Sequence, residues 1–128
     1  MCKEQKFYYC AICGKIIGMI KDPGTPTICC GEEMTEIVAN TVDAAYEKHI
    51  PVVTVKGNEV HVEIGSVAHP MVKEHYIEWV YVQTEKGGQR KCFNVGDEPK
   101  MDFSITNDKV IAVFAYCNIH GLWKTEVK

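Results

Sequence analysis

Val52-Val53-Thr54-Val55-Lys56-Gly57-Asn58-Glu59-Val60-His61-Val62-Glu63-Ile64 decides the fold class. Apolar Val60, Val62 and Ile64 alternate with polar Glu59, His61 and Glu63, which predicts a half-buried strand with His61 facing solvent. Val52 to Val55 reads as its partner, and Lys56-Gly57-Asn58 between them suits a tight hairpin turn. The same texture continues outward. Short runs rich in Val, Ile and aromatics predict strands at His75 to Gln83, Gln89 to Asn94, Lys100 to Thr106 and Lys109 to Cys117. Gly87-Gly88 and Thr106-Asn107-Asp108 supply turns between them. No long helical periodicity and no internal repeat interrupts the pattern. From about Thr41 onward the chain reads as an all-β sandwich.

Residues 7 to 36 read differently. They carry few large aliphatic side chains but hold Gly14, Gly18, Gly24, Gly31, Pro23 and Pro26, which punctuate short extended segments. A piece below about 40 residues buries too little apolar surface to stay folded without a metal or disulfides. Four of the seven cysteines fall here, as Cys10-x-x-Cys13 and the adjacent pair Cys29-Cys30. The junction between the two modules is expected near residues 36 to 40.

Composition narrows the function classes. The 128 residues allow two modules but not three, and 14 basic and 17 acidic side chains give a net charge of −3. No basic stripe follows a phosphate backbone, which argues against nucleic acid. Residues 1 to 10 lack the apolar core of a signal peptide, and the longest apolar run, Val110 to Cys117, is too short to span a bilayer. The expectation is a cytoplasmic protein with no membrane association. In such a reducing compartment cysteines serve metal binding or thiol chemistry rather than a disulfide framework.

Two groups of residues have metal-ligand chemistry. Cys10-Ala11-Ile12-Cys13-Gly14 has the form of a metal knuckle, in which a tight turn points both sulfurs at one ion. The adjacent Cys29-Cys30 must bend the backbone to reach the same ion, because neighbouring side chains diverge in an extended chain. Four cysteines alone leave zinc and iron open, and the adjacent pair favours iron. A redox-active CxxC is the weaker rival, since no thioredoxin-like βαβ pattern surrounds it. The second group is His49, His69 and His75, with Cys117 and His120. His69 precedes Pro70 and is held extended, while His75 begins the next strand, so the two can converge. Cys117 ends an apolar strand and His120 follows in a turn, so thiolate and imidazole can reach one ion from the same corner. Five such ligands would leave a five-coordinate iron one open position.

The stretches Glu47-Lys48-His49, His69-Pro70-Met71, His75-Tyr76-Ile77-x-Trp79 and Cys117-Asn118-Ile119-His120-Gly121-x-Trp123, with the four N-terminal cysteines, resemble desulfoferrodoxin, the two-iron class of superoxide reductase. The resemblance covers nearly the whole chain. It implies a desulforedoxin-like four-cysteine iron module at residues 1–37, followed by an immunoglobulin-like β-sandwich at 38–128. It also implies two mononuclear irons per chain. One would be held by Cys10, Cys13, Cys29 and Cys30, the other by His49, His69, His75 and His120 with Cys117 as axial ligand. Superoxide would be reduced to hydrogen peroxide without release of oxygen. Lys48 would draw in the anion, and Glu47 would bind ferric iron in the resting state and leave on reduction. A rubredoxin-like electron donor and a homodimer are the family expectation. Cys2 and Cys92 are left without a role. Two rival readings are an electron carrier in which the sandwich only binds a partner, and a zinc-stabilised interaction module.

Overall fold

The computed structural model describes residues 2–128. The chain divides into two compact units, Lys3–Val38, and Ala39–Lys128 together with Cys2.

In the smaller unit, β1 (Lys6–Tyr9) pairs antiparallel with β2 (Ile16–Met19). A two-residue ladder joins β3 (Ile28–Cys29) to β4 (Glu32–Glu33), and β5 (Thr35–Glu36) returns beside β1. Its buried apolar residues are Phe7, Cys10 and Met34. So small a core leaves the unit dependent on whatever its cysteines hold.

The larger unit begins with α1, a single turn at Tyr46–His49, and then follows the hairpin of β6 (Pro51–Lys56) and β7 (Glu59–Ile64). Lys56 pairs with Glu59, so Gly57-Asn58 forms the whole turn, and Gly57 takes the positive φ of 57° that its first position requires. Then come β8 (Ile77–Thr84), β9 (Gly88–Cys92), β10 (Lys100–Ser104), β11 (Val110–Cys117) and β12 (Gly121–Glu126). They form a three-stranded sheet, β10-β7-β6, and a four-stranded sheet, β12-β11-β8-β9. Val60, Val62, Ile64 and Phe103 from the first sheet meet Ile77, Val80, Val82, Val113 and Ala115 from the second, which makes a sandwich. Each Val, Ile or Phe among them contributes about 1.5–3 kcal/mol by leaving water.

Strands β8 and β12 depart from the sequence reading. Strand β8 starts at Ile77, and His75 instead makes an isolated bridge with Val72 two residues earlier. Strand β12 was not expected; Leu122 and Trp123 are both buried, so its apolar residues do not alternate and its period is hidden.

Candidate metal centres

In the smaller unit the turn after Cys10 closes through Gly14 N donating to Cys10 O at 2.9 Å, and Gly14 adopts φ 81°. Cys30 itself takes φ 53°, an uncommon conformation for a side-chain-bearing residue. That left-handed bend brings the adjacent thiols to one point, with Sγ to Sγ distances of 3.7 Å for Cys13 and Cys29 and 4.0 Å for Cys29 and Cys30. All four sulfurs lie within 4.8 Å of one another. A tetrahedral ion with metal to sulfur distances of about 2.3 Å gives an edge of about 3.8 Å. Backbone N–H groups of Cys13 and Ile12 bring the Cys10 thiol down to about 7, while contact with the Cys13 thiol pushes Cys30 up to about 12. Four crowded thiols lose all their protons together only when a cation replaces those protons.

In the larger unit, His49 closes α1, His69 ends the turn after β7, His75 sits in the bridge before β8, and Cys117 and His120 flank the β11 to β12 turn. A register shift between Tyr116 and Cys117 interrupts the β11 to β8 ladder at its last step and re-aims the thiol. The imidazole centroids follow one another around a ring: His49 to His69 4.6 Å, His69 to His75 4.6 Å, His75 to His120 5.0 Å and His120 to His49 4.8 Å. The diagonal from His49 to His75 is 6.2 Å, so the four rings mark the corners of a near square. The ligand atoms of His49, His69, His75 and Cys117 lie within 4.8 Å of one another, and His120 Nδ1 is 3.9 Å from Cys117 Sγ.

Tautomers make the case for a cation. His49 Nδ1 donates to Ala45 O at 2.7 Å and His69 Nδ1 donates to Pro70 O at 2.6 Å. Each ring therefore turns a bare Nε2 lone pair inward, and the two Nε2 atoms face each other at 3.1 Å. Two acceptors at that distance repel. His120 Nδ1 approaches His49 Nε2 at 3.1 Å as well, and the buried Nε2 of His75 has no hydrogen-bond partner. Nitrogens about 2.1 Å from a central ion at right angles would stand about 3.0 Å apart. Burial holds His49 and His75 below the usual imidazole range and His69 down to about 4, so the lone pairs stay free. Burial pushes the Cys117 thiol up, so it too waits for a cation to become thiolate. The donor set fits a metal with imidazole and thiolate ligands.

Sequence reasoning named the donors and missed what positions them. Gly65 is buried at φ 83°, and a Cβ there would stand 2.6 Å from Glu47 O and 2.8 Å from the Lys48 carbonyl carbon. This close approach lets Gly65 N donate to Ile50 O and Val67 N donate to Glu47 O at 2.9 Å, pinning α1 from below. Asn118 brackets His75: its Oδ1 accepts from Tyr76 N at 3.0 Å and its Nδ2 donates to Glu74 O at 3.1 Å. Trp123 stacks on His49 and donates from Nε1 to His120 O at 3.2 Å. The Gly after Ile64 and the Asn within Cys117-Asn118-Ile119-His120 were the available signals. Glu47 and Lys48, expected on a loop, stand exposed on α1, and the Lys48 charge helps depress both His49 and His75.

A family model described as desulfoferrodoxin matches residues 41–126. Over 125 residues the chain is 43% identical to a desulfoferrodoxin homolog of Archaeoglobus fulgidus, covering 98% of this chain and 99% of that one. It is 40% identical over 126 residues to the desulfoferrodoxin of Nitratidesulfovibrio vulgaris, with 98% and 99% covered. Among solved structures, the superoxide reductase from Treponema pallidum superposes with a TM-score of 0.81 at 42% identity, covering 97% of this chain and all of that one.

Proposed function

This chain belongs to the desulfoferrodoxin family, and from that premise we propose how its residues divide the work of superoxide reduction. The protein is an oxidoreductase acting on superoxide, with two mononuclear iron centres per chain. Cys10, Cys13, Cys29 and Cys30 hold one iron in a desulforedoxin-like module, residues 1–37. His49, His69, His75, His120 and Cys117 hold the other in the sandwich, residues 38–128. The observation that carries this reading is the pair of fixed Nε2 lone pairs of His49 and His69 facing each other at 3.1 Å.

These five donors would hold an iron whose chemistry, when bound, is the supply of the one electron that with two protons converts superoxide to hydrogen peroxide, with no oxygen released. The chain's own residues set the conditions. The carbonyls of Ala45 and Pro70 lock two imidazoles in the tautomer that coordinates through Nε2. Cys117 Sγ accepts a hydrogen bond from His120 N at 3.4 Å, which tempers the charge on the thiolate. Lys48 gives the approaching anion a local positive charge on a chain whose net charge is −3. Glu47, its neighbour on α1, would by the family resemblance bind the iron in its oxidised form and leave on reduction. The electron donor is a rubredoxin-like carrier and the protein works as a homodimer, both from the family expectation, and its cytoplasmic setting is the expectation drawn from the sequence.

The test is metal analysis of purified protein combined with anaerobic superoxide consumption. Two irons per chain, and peroxide formation without oxygen evolution, are the expected result. Zinc at the five-donor site, or oxygen released as a dismutase releases it, would overturn the assignment.

A further inference from the structure

One chain of ring contacts leads from solvent to the imidazole cluster, and the roles above use only its inner end, where Trp123 positions His49. Tyr46, on α1, is 55% exposed, yet its ring meets Trp123 edge-on with centroids 5.2 Å apart at 83°. Trp123 is fully buried and stacks on His49 at 4.8 Å and 26°. Both spacings lie in the range of favourable aromatic pairs. The path from water to a metal-facing imidazole is therefore aromatic throughout.

Packing accounts for Trp123, which is enclosed and donates its N–H to the His120 carbonyl. It accounts less well for Tyr46. The residue as a whole is 55% exposed, and the hydrogen bond its hydroxyl makes among the described residues, to Asn40 O, is long at 3.3 Å. An exposed aromatic is a residue type that protein interfaces enrich.

We propose that Tyr46 is the electron-entry port of the imidazole centre: a small one-electron carrier docks over the exposed Tyr46 ring, and the electron reaches the centre through Tyr46, Trp123 and His49. The proposal rests on the superoxide-reducing reading above, which requires one electron to be returned for each superoxide consumed. The carrier is oxidised by one electron and the centre is reduced by one. Apart from the release of Glu47 that reduction brings, no bond is made or broken, no proton moves, and neither ring is left oxidised, because the rings serve only to couple the two ends. Electronic coupling falls off faster across solvent than along rings in contact, so a carrier seated on Tyr46 gains a continuous route. Electron-transfer encounters bury little area, and a single well-placed ring then decides much of the docking.

The test separates the two half-reactions. Oxidised holoprotein is mixed anaerobically with sub-saturating reduced rubredoxin, and bleaching of its visible absorption gives the rate of electron entry. The reaction of the reduced protein with superoxide is timed separately by pulse radiolysis. Tyr46→Leu is expected to slow electron entry about tenfold. Tyr46→Phe keeps the ring and should stay within about twofold of wild type. Superoxide timing should be the same in all three. In zinc-loaded protein, where no electron moves, rubredoxin should still shift the Tyr46 amide resonance. Wild-type entry rates in Tyr46→Leu, equal slowing in Leu and Phe variants, or an unmoved Tyr46 resonance would each overturn the port. A wild-type protein that accepts electrons but ignores superoxide would sink the functional reading and leave the port standing.

Discussion

Gly65 and Lys48 both bear on the same short helix, by different physics. At Gly65 the backbone of Glu47 and Lys48 passes so close that any side chain must displace it, and φ 83° adds strain for an L residue. Gly65→Ala is therefore expected to cost about 2–4 kcal/mol, read as a lower urea midpoint, and to lower iron content in the sandwich. An unchanged midpoint would mean that the turn relaxes freely. Lys48 acts at a distance: a unit charge about 6 Å from superoxide attracts it by about 0.7 kcal/mol in water and about 3 kcal/mol at an effective dielectric near 20. Lys48 is exposed, so the lower figure applies. Lys48→Ala should slow the superoxide reaction about threefold at low ionic strength, with the gap closing as the Debye length shrinks below about 8 Å. Equal rates for both proteins in dilute buffer would remove the steering role.

Among the elements, β7 and the β11 to β12 turn each carry one further consequence. On β7 the alternation that predicted a solvent-facing His61 holds, since Val60, Val62 and Ile64 are buried between half-exposed His61 and Glu63. Cross-strand Asp102 hydrogen-bonds His61 Nδ1 and Glu63 lies 3.2 Å from its Nε2, and these bonds raise the imidazole above its ordinary value. The folded state therefore binds the proton more tightly than the unfolded chain does. Its contribution is fully present below about pH 6.5, the unfolded value, and is lost as pH rises through the folded one. The side chain is 42% exposed, so solvent screens the effect to a small one. His61→Gln should lose stability relative to wild type near pH 5.5 and match it above pH 8, by denaturant midpoints; a pH-independent difference would refute the ion pair. In the turn, Asn118 fixes the backbone on either side of His75, and loss of such outer support typically costs about 10–100-fold in metal affinity. Asn118→Ala should release iron faster to a chelator, and an unchanged rate would show that the bridge to Val72 suffices. Strands with one wet face were legible because their period is two. The β12 strand was hidden because both Leu122 and Trp123 are enclosed, and the role of Asn118 was hidden because spacing names donors and not their supports.

For the whole molecule, the two units differ in what holds them together. The sandwich buries a continuous apolar core between two sheets, whereas Lys3–Val38 encloses Phe7, Met34 and Cys10 and little else. The donor groups of both clusters could be named from the sequence because metal chemistry restricts residue type and spacing so strongly. How the adjacent cysteines converge was not, since the left-handed turn at Cys30 leaves no mark in composition. That turn places strain in a unit with almost no core to offset it, so the four sulfur to metal bonds must supply most of its stability. Cys30→Ala, or chelation at mildly acidic pH, should therefore unfold Lys3–Val38 and leave the sandwich intact. Hydrogen exchange would read this directly: amides of β1 and β2 should lose protection, while those of β8 and β11 keep theirs because their ladders and core do not depend on those thiolates. Continued protection of β1 and β2 after the metal has gone would mean that Phe7 and Met34 suffice to fold the unit, and the four-cysteine centre would then owe its place in the chain to redox chemistry alone.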